Sequence, residues 1–134
     1  MIVTRCLTVE DTLKIVDLYW ALGQEIGEPD LAVDWLATCA FTVPEYKILG
    51  FIHEGVLVGF LDFLIKAKTS TCLVVNTYVL PEFRHRSATL FRTGLQYVSA
   101  MEYSSLSVVV SPGREAIWMK HQFVPETLVL TREV

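Results

Sequence analysis

The chain has 134 residues and a net charge of −4, and 52% of its residues are hydrophobic while 19% are charged. A chain of this length fits one domain, which we expect to span residues 1–134. The acidic balance argues against a general nucleic-acid binder, and without an apolar run of 18 residues a membrane span is not expected. The apolar surplus indicates either an unusually complete core or a surface that is partly buried by self-association or by an assembly partner, and we expect the latter.

The cysteines and histidines are too scattered to suggest a disulfide framework or a metal site. Cys6, Cys39 and Cys72 are an odd number and lie far apart, so we expect reduced, buried thiols and no metal. The first residues also lack the basic-then-apolar layout of a secretion signal. These features together predict a cytoplasmic protein.

The first third of the chain predicts one strand followed by two helices. Residues 1–8 have the pattern of a strand, and Thr8 with Asp11 matches a capping box at a helix start. Val9–Leu22 then carries apolar residues at helical spacing. Asp30 is expected to cap a second helix over Leu31–Ala40.

The next region changes to the spacing of strands. Tyr46–Ile52 and Val56–Ala67 are separated by His53-Glu54-Gly55, which is typical of a hairpin turn. Thr71–Leu80 is a further strand, and it ends at Pro81. Because Val56–Ala67 is apolar on both faces, we expect it in the middle of a sheet that is covered on both sides.

The last third predicts two helices and two strands. Arg86–Glu102 has the clearest apolar stripe of any helix in the chain, and Ser105–Val110 is a short buried strand. A helix follows from Ser111 to about Lys120, and Thr127–Thr131 is the closing strand. The order β-α-α-β-β-β-α-β-α-β predicts an α/β fold in which helices cover both faces of a central mixed sheet.

That order resembles the GNAT (GCN5-related N-acetyltransferase) superfamily, and four local patterns agree with it along the whole chain. Tyr78–Arg86 is similar to the family segment V-x-P-x-(Y/F)-R-x-(R/K), and Ser111–Phe123 is similar to the closing motif. The other two are the opening at residues 4–11 and the hairpin with its Val-Gly strand at residues 53–59. The resemblance implies acetyl-CoA as a cofactor.

The resemblance also implies where acetyl-CoA would bind. The matching positions are Tyr78, Val79, Arg84, His85, Arg86, Ser87, Ala88 and Thr89. Both glycines of the family loop R/Q-x-x-G-x-G/A are replaced here, by Ser87 and Thr89, which narrows the approach of a diphosphate to the backbone. The alternative is that Arg84 and Arg86 are solvated first-turn residues and that Ser87 caps the helix.

Catalytic groups are harder to assign. The family's general-acid tyrosine falls at Trp118, whose indole does not transfer its proton at physiological pH. A general base is also needed to deprotonate the amine. Since Thr71–Leu80 contains no carboxylate, the candidates for this base are Asp62, Glu82 and, through a water chain, Tyr78. The alternatives for Asp62 are a contact with a cation such as Lys66 and a position at the end of an open groove.

The loop after the first helix carries Glu25, Glu28 and Asp30. This acidic rim would suit a cationic amine, and a solvated acidic loop accounts for it equally well.

Two functions follow from these patterns. Loss of the glycines, the tyrosine and a strand carboxylate favours a GNAT-like protein that works by interaction or assembly. The alternative is an active N-acetyltransferase that acetylates a small-molecule or protein amine. Length and layout also resemble short GNAT-like proteins of tailed phages, which implies a place in a virion or in the host cytoplasm.

Overall fold

The computed structural model describes residues 2–28, 41–66, 68, 71–101, 105–108, 115–120 and 123–124. The strands are β1 (Ile2–Cys6), β2 (Tyr46–His53), β3 (Val56–Lys66), β4 (Thr71–Val79) and β5 (Ser105–Val108). The helices are α1 (Thr12–Glu25), α2 (Ser87–Ser99) and α3 (Glu115–Met119), and short 3-10 helices at Val9–Asp11 and Pro81–Arg86 lead into α1 and α2. The predicted helix Leu31–Ala40 and strand Thr127–Thr131 lie outside the described residues.

The five strands form one mixed sheet in the order in which they occur along the chain. The pairs β1–β2, β2–β3 and β3–β4 are antiparallel, whereas β4 and β5 are parallel. The predicted mixed sheet is therefore confirmed. The hairpin between β2 and β3 also turns where it was predicted, at Glu54 and Gly55.

Helices cover both faces of the sheet, as the apolar pattern of β3 predicts. On one face α1 packs against the sheet through Ile15, Leu18, Tyr19 and Leu22. On the other face α2 does so through Leu90, Phe91, Leu95 and Val98. We call these the α1 face and the α2 face. No helix among the described residues is long and apolar enough to cross a membrane.

Two β-bulges change which side chains lie on each face. Val58 is an extra residue in β3, since Phe51 pairs with Gly59 and Ile52 pairs with Leu57. Strict alternation predicts Leu57 on the same face as Leu61, but Leu57 packs on the α1 face and Leu61 on the α2 face. The prediction is wrong at Leu57 because the extra residue reverses the alternation.

The second bulge lies in β4. Asp62 of β3 pairs with Asn76 and Phe63 pairs with Val74, so Val75 has no partner on β3. Before the bulge Cys72 and Val74 face α2, while after it Tyr78 faces α1. The end of β4 therefore presents different residues to each face than an unbroken strand would.

Candidate functional site

The end of β4 is the most distinctive part of the sheet. Parallel pairing with β5 runs from Thr71 and Ser105 to Val74 and Val108, and the bulge follows at Val75. Beyond Val74, no described residue of β5 pairs with β4. The described pairing with β5 thus reaches Val74, directly before the extra residue Val75.

The backbone of Thr77 and Val79 faces away from β3. Leu80 N–H donates to the Val58 carbonyl on β3 at 2.9 Å, and N–H directions alternate along a strand. Gly59 lets β3 approach closely here, because a Cβ at this position would lie 2.8 Å from the Tyr78 carbonyl oxygen. The predicted binding residues Tyr78 and Val79 thus lie at a strand end whose outer edge is not paired by described residues.

Arg84 folds back onto this strand end. Its Nε donates to the Val79 carbonyl at 3.0 Å, and its guanidinium carbon lies 5.5 Å from the centre of the Tyr78 ring. The same guanidinium pairs with the carboxylate of Glu25 at the end of α1. The structure therefore brings together the predicted cofactor residues Tyr78, Val79 and Arg84 and the predicted acceptor residue Glu25.

The Tyr78 hydroxyl lies beside two charged neighbours. Burial raises the pKa of its hydroxyl, the negative charge of Glu25 adds to this, and the positive charge of Arg84 opposes it. A raised pKa keeps the phenol protonated at neutral pH and makes it a weaker proton donor than a free tyrosine. The predicted catalytic role of Tyr78, as a base acting through a water chain, stays a prediction.

The predicted diphosphate loop is helical. Pro81–Arg86 forms a 3-10 helix that continues directly into α2, so many of its N–H groups bond within the turn. Ser87 Oγ and Ser87 N–H both donate to the Arg84 carbonyl, the hydroxyl at 2.7 Å. The position that caps α2 is Arg86 and it has no side-chain bond, so the interpretation of Ser87 as the cap is wrong.

Most residues of this loop are exposed. The exposed members of the predicted set are Glu82, Arg84, His85, Arg86, Ala88 and Thr89. Arg84 and Arg86 place two guanidinium groups at the helix start, and that of Arg84 is paired with Glu25. Glu82 lies in the first turn of the 3-10 helix, away from the bonds that hold Arg84.

Asp62 lies in a buried polar cluster on the α1 face. Its carboxylate is 0% exposed and accepts hydrogen bonds from the Tyr19 hydroxyl at 2.5 Å and from the Tyr46 hydroxyl. It also accepts from Asn76 twice, from the backbone N–H at 2.6 Å and from Nδ2 at 3.2 Å. The predicted position at the end of an open groove is therefore wrong, since α1 covers this part of β3.

The cluster balances burial against hydrogen bonding. Burial raises the pKa of Asp62, whereas the bonds from Tyr19, Tyr46 and Asn76 lower it, and burial is the larger cause. Burial and the charge of Asp62 raise the pKa of both tyrosines. Sequence reasoning missed the three partners. Tyr19 and Asn76 are polar residues that adjoin apolar ones, which is a signal for a buried polar contact, whereas Tyr46 lies between Glu45 and Lys47 and carries no such signal.

The described contacts of Glu28 and Trp118 are with residues outside this cluster. Glu28 is exposed just after α1, where its N–H donates to the Gly23 carbonyl at 2.8 Å, and Asp30 lies outside the described residues. Trp118 packs edge-on against Phe91 and Phe123, with ring centres 4.6 Å and 5.4 Å apart. These contacts make Trp118 an anchor between α3 and α2. The described residues contain no group of three side chains that could hold a metal ion.

The chain resembles known proteins in structure, whereas comparisons of its sequence find no match. No family model matches the chain, and no curated protein matches its sequence. The aminoglycoside acetyltransferase AAC(6')-Iy, solved with a bisubstrate CoA analogue, superposes with a TM-score of 0.76 at 18% identity, covering 100% of this chain and 99% of that one. The chain has the GNAT fold.

Two further structures have the GNAT fold in common with it. A ribosomal-protein-alanine N-acetyltransferase from Brucella melitensis has a TM-score of 0.72 at 18% identity, covering 100% of this chain and 98% of that one. An aminoglycoside acetyltransferase from an uncultured soil sample, solved with sisomicin, has a TM-score of 0.71 at 12% identity, covering 99% of this chain and 95% of that one. The GNAT-like order predicted from the sequence is confirmed for the described elements.

Proposed function

We propose that the protein is an N-acetyltransferase that transfers the acetyl group of acetyl-CoA to an amine. The observation that carries this proposal is the bulged end of β4. Beyond Val75 the N–H groups of Thr77 and Val79 face away from β3, next to Arg84 and the start of α2. The solved acetyltransferases with this fold, one of them in complex with CoA, support the same activity.

The residues at this site fit a thioester and its diphosphate in different ways. The outward backbone of Val79 would align the pantetheine arm, and its N–H would polarise the thioester carbonyl. Without the two loop glycines, the diphosphate would be held by cationic side chains, among them Arg84 and Arg86. Arg84 would then exchange its bond to Glu25 for a bond to phosphate.

Positioning would supply most of the rate. Water would take one proton from the cationic amine, and the neutral nitrogen would then attack the thioester carbonyl carbon. As the carbon–sulfur bond breaks, the second proton of the nitrogen would pass to water. Tyr78 would give its hydroxyl proton to the departing sulfur and take one back from water. No covalent enzyme intermediate is needed, so the alignment of the two reactants is the main contribution.

The acceptor is proposed to be a cationic amine. Glu25 lies beside Tyr78 and Arg84, so a carboxylate borders the strand end. One protein with the same fold was solved with the aminoglycoside sisomicin, and another is a ribosomal-protein-alanine N-acetyltransferase. A small-molecule or protein amine would be attracted to this rim.

The non-catalytic interpretation receives less support. The replaced glycines and Trp118 favoured an interaction or assembly protein, but the comparisons are with acetyltransferases. Self-association, a protein assembly partner and a place in a phage virion or its host's cytoplasm stay predictions. The same applies to the predicted lack of nucleic-acid binding.

Acetyl-CoA binding and turnover test the proposal. Thermal melting with acetyl-CoA at 100 times its dissociation constant should show about 2.7 kcal/mol of stabilisation. Thiol release should then appear with at least one member of a panel containing kanamycin, spermidine and an alanine-starting peptide. Arg84→Ala should weaken acetyl-CoA binding, while Arg92→Ala, at an exposed position on α2, serves as the matched control. An unchanged melting temperature in millimolar acetyl-CoA, with no thiol release, would contradict the enzyme.

A further inference from the structure

The backbone N–H of Asn76, next to the bulge in β4, donates to a side chain of the neighbouring strand. The acceptor is Oδ1 of Asp62, at 2.6 Å, and Asp62 is also the residue that pairs with Asn76 in the ladder. A bulge disturbs the ladder locally, and Val75 is the extra residue here. The carboxylate therefore adds a bond to β4 at the place where the ladder is disturbed.

The same carboxylate holds Asn76 by a second bond. Oδ2 of Asp62 accepts from Asn76 Nδ2 at 3.2 Å. The Asp62 side chain therefore binds both the backbone N–H and the side-chain amide of the residue after the bulge. A bulge at Asn76 or beyond would remove Asn76 from its pairing with Asp62. The two bonds therefore oppose a shift of the bulge towards Tyr78.

Two other elements fix the carboxylate itself. The Tyr19 hydroxyl from α1 and the Tyr46 hydroxyl from β2 both donate to Oδ2 of Asp62, and they lie 3.0 Å from each other. Asp62 is 0% exposed, so it touches neither a substrate nor a cofactor. Its effect on the site must pass through Asn76.

We propose that Asp62 is a positioning residue that fixes the β4 bulge and thereby orients the Thr77–Val79 backbone towards the proposed acetyl-CoA site. The orientation towards acetyl-CoA rests on the proposed function, whereas the role of Asp62 in fixing the bulge does not. Asp62 determines which N–H groups of β4 point away from β3. Its bonds from Tyr19 and Tyr46 connect the position of the bulge to α1 and β2. This assigns to Asp62 a role other than that of a general base.

Hydrogen exchange tests the hold on the bulge without any cofactor. The Asn76 amide should be protected in the wild type, in Asp62→Asn, whose Oδ1 still accepts, and in the matched control Tyr97→Phe, which removes a hydroxyl on α2 outside the cluster. Asp62→Leu, which has no acceptor, should lose at least about tenfold of that protection relative to core amides of α2. Equal protection of Asn76 in Asp62→Leu would overturn the proposal.

Steady-state kinetics test the consequence for the site. Asp62→Leu should raise the KM for acetyl-CoA by about tenfold or more with an unchanged pH profile, because the strand end is misplaced. Asp62→Asn should keep kcat within about threefold, whereas a general base would lose about 100-fold or more. If Asp62→Leu does not fold, the exchange and kcat of Asp62→Asn decide the matter.

The two proposals fail in distinguishable ways. Absence of acetyl-CoA binding by the wild type would refute the proposed N-acetyltransferase activity. The exchange result for Asn76 would still decide whether Asp62 fixes the bulge. A large kcat loss in Asp62→Asn with a protected Asn76 amide would make Asp62 a proton carrier and overturn its positioning role.

Discussion

At the scale of single residues, the best-defined ion pair lies where the chain turns from β1 into α1. Both terminal nitrogens of Arg5 donate to the carboxylate of Asp11 at 2.9 Å, and Thr8 N–H donates to the same carboxylate at 2.8 Å. The hydrogen bond from Arg5 is the largest cause that lowers the pKa of Asp11 to about 2. Thr8 and Asp11 were predicted as a helix start, while Arg5 as their partner was not.

Acid should therefore weaken this corner of the fold. A carboxyl group whose pKa is lower in the folded chain stabilises it above its ordinary pKa of 3.8, and this contribution is lost as pH falls towards 2. Asp11→Asn should lower the melting temperature at neutral pH, and the difference from wild type should shrink between about pH 4 and pH 2. Asp17→Asn on the exposed side of α1 is the control. A pH-independent difference would show that the charge of Asp11 is irrelevant.

At the scale of elements, the β2–β3 hairpin carries local strain. Its two turn residues have positive φ angles, 50° at Glu54 and 79° at Gly55. Glycine adopts such angles freely, whereas a side chain with a Cβ costs about 1–2 kcal/mol in the left-handed region. This two-residue turn favours asparagine followed by glycine.

Relief of that strain should stabilise the protein. Glu54→Asn should raise the free energy of unfolding by about 1 kcal/mol, which corresponds to roughly 3–5 °C in melting temperature for a domain of this size. Glu45→Asn removes the same charge at an exposed position with negative φ and should change little. An equal shift in both variants would attribute the gain to charge rather than to backbone geometry.

At the scale of the whole molecule, the sheet separates two apolar layers, one on each of its faces. The layer on the α2 face also takes in α3, which is anchored by Trp118 between Phe91 and Phe123. Trp118 occupies the position where the family resemblance places a general-acid tyrosine. The contacts of its ring with Phe91 and Phe123 give Trp118 a structural role in packing.

Aromatic packing at Trp118 should matter, and its indole N–H should not. Trp118→Ala should cost about 2–3 kcal/mol in unfolding free energy, because a large half-buried ring is lost. Trp118→Phe should keep most of the stability and leave acetyl transfer within a few-fold of wild type. Met119→Ala, at a position 55% exposed, is the control. A large loss of activity in Trp118→Phe at unchanged melting temperature would give the indole a catalytic role.

The sequence alone determined the order of the described elements, the turn at Glu54 and Gly55, the helix start at Thr8 and the GNAT-like layout. Each of these depends on spacing or turn chemistry within a few residues, which the local sequence contains. The predicted boundaries differ slightly, since α2 begins at Ser87 after a 3-10 helix and ends at Ser99.

Only the tertiary structure decided which residues meet at the site. The bonds of Asp62 to Tyr19, Tyr46 and Asn76 join residues that are 14 to 43 positions apart in the chain. The bulge at Val75 reverses the faces of β4, and Arg84 pairs with Glu25 from another element. Periodicity cannot reveal such contacts, because a single extra residue in a strand exchanges its two faces and only the packed neighbours select its position.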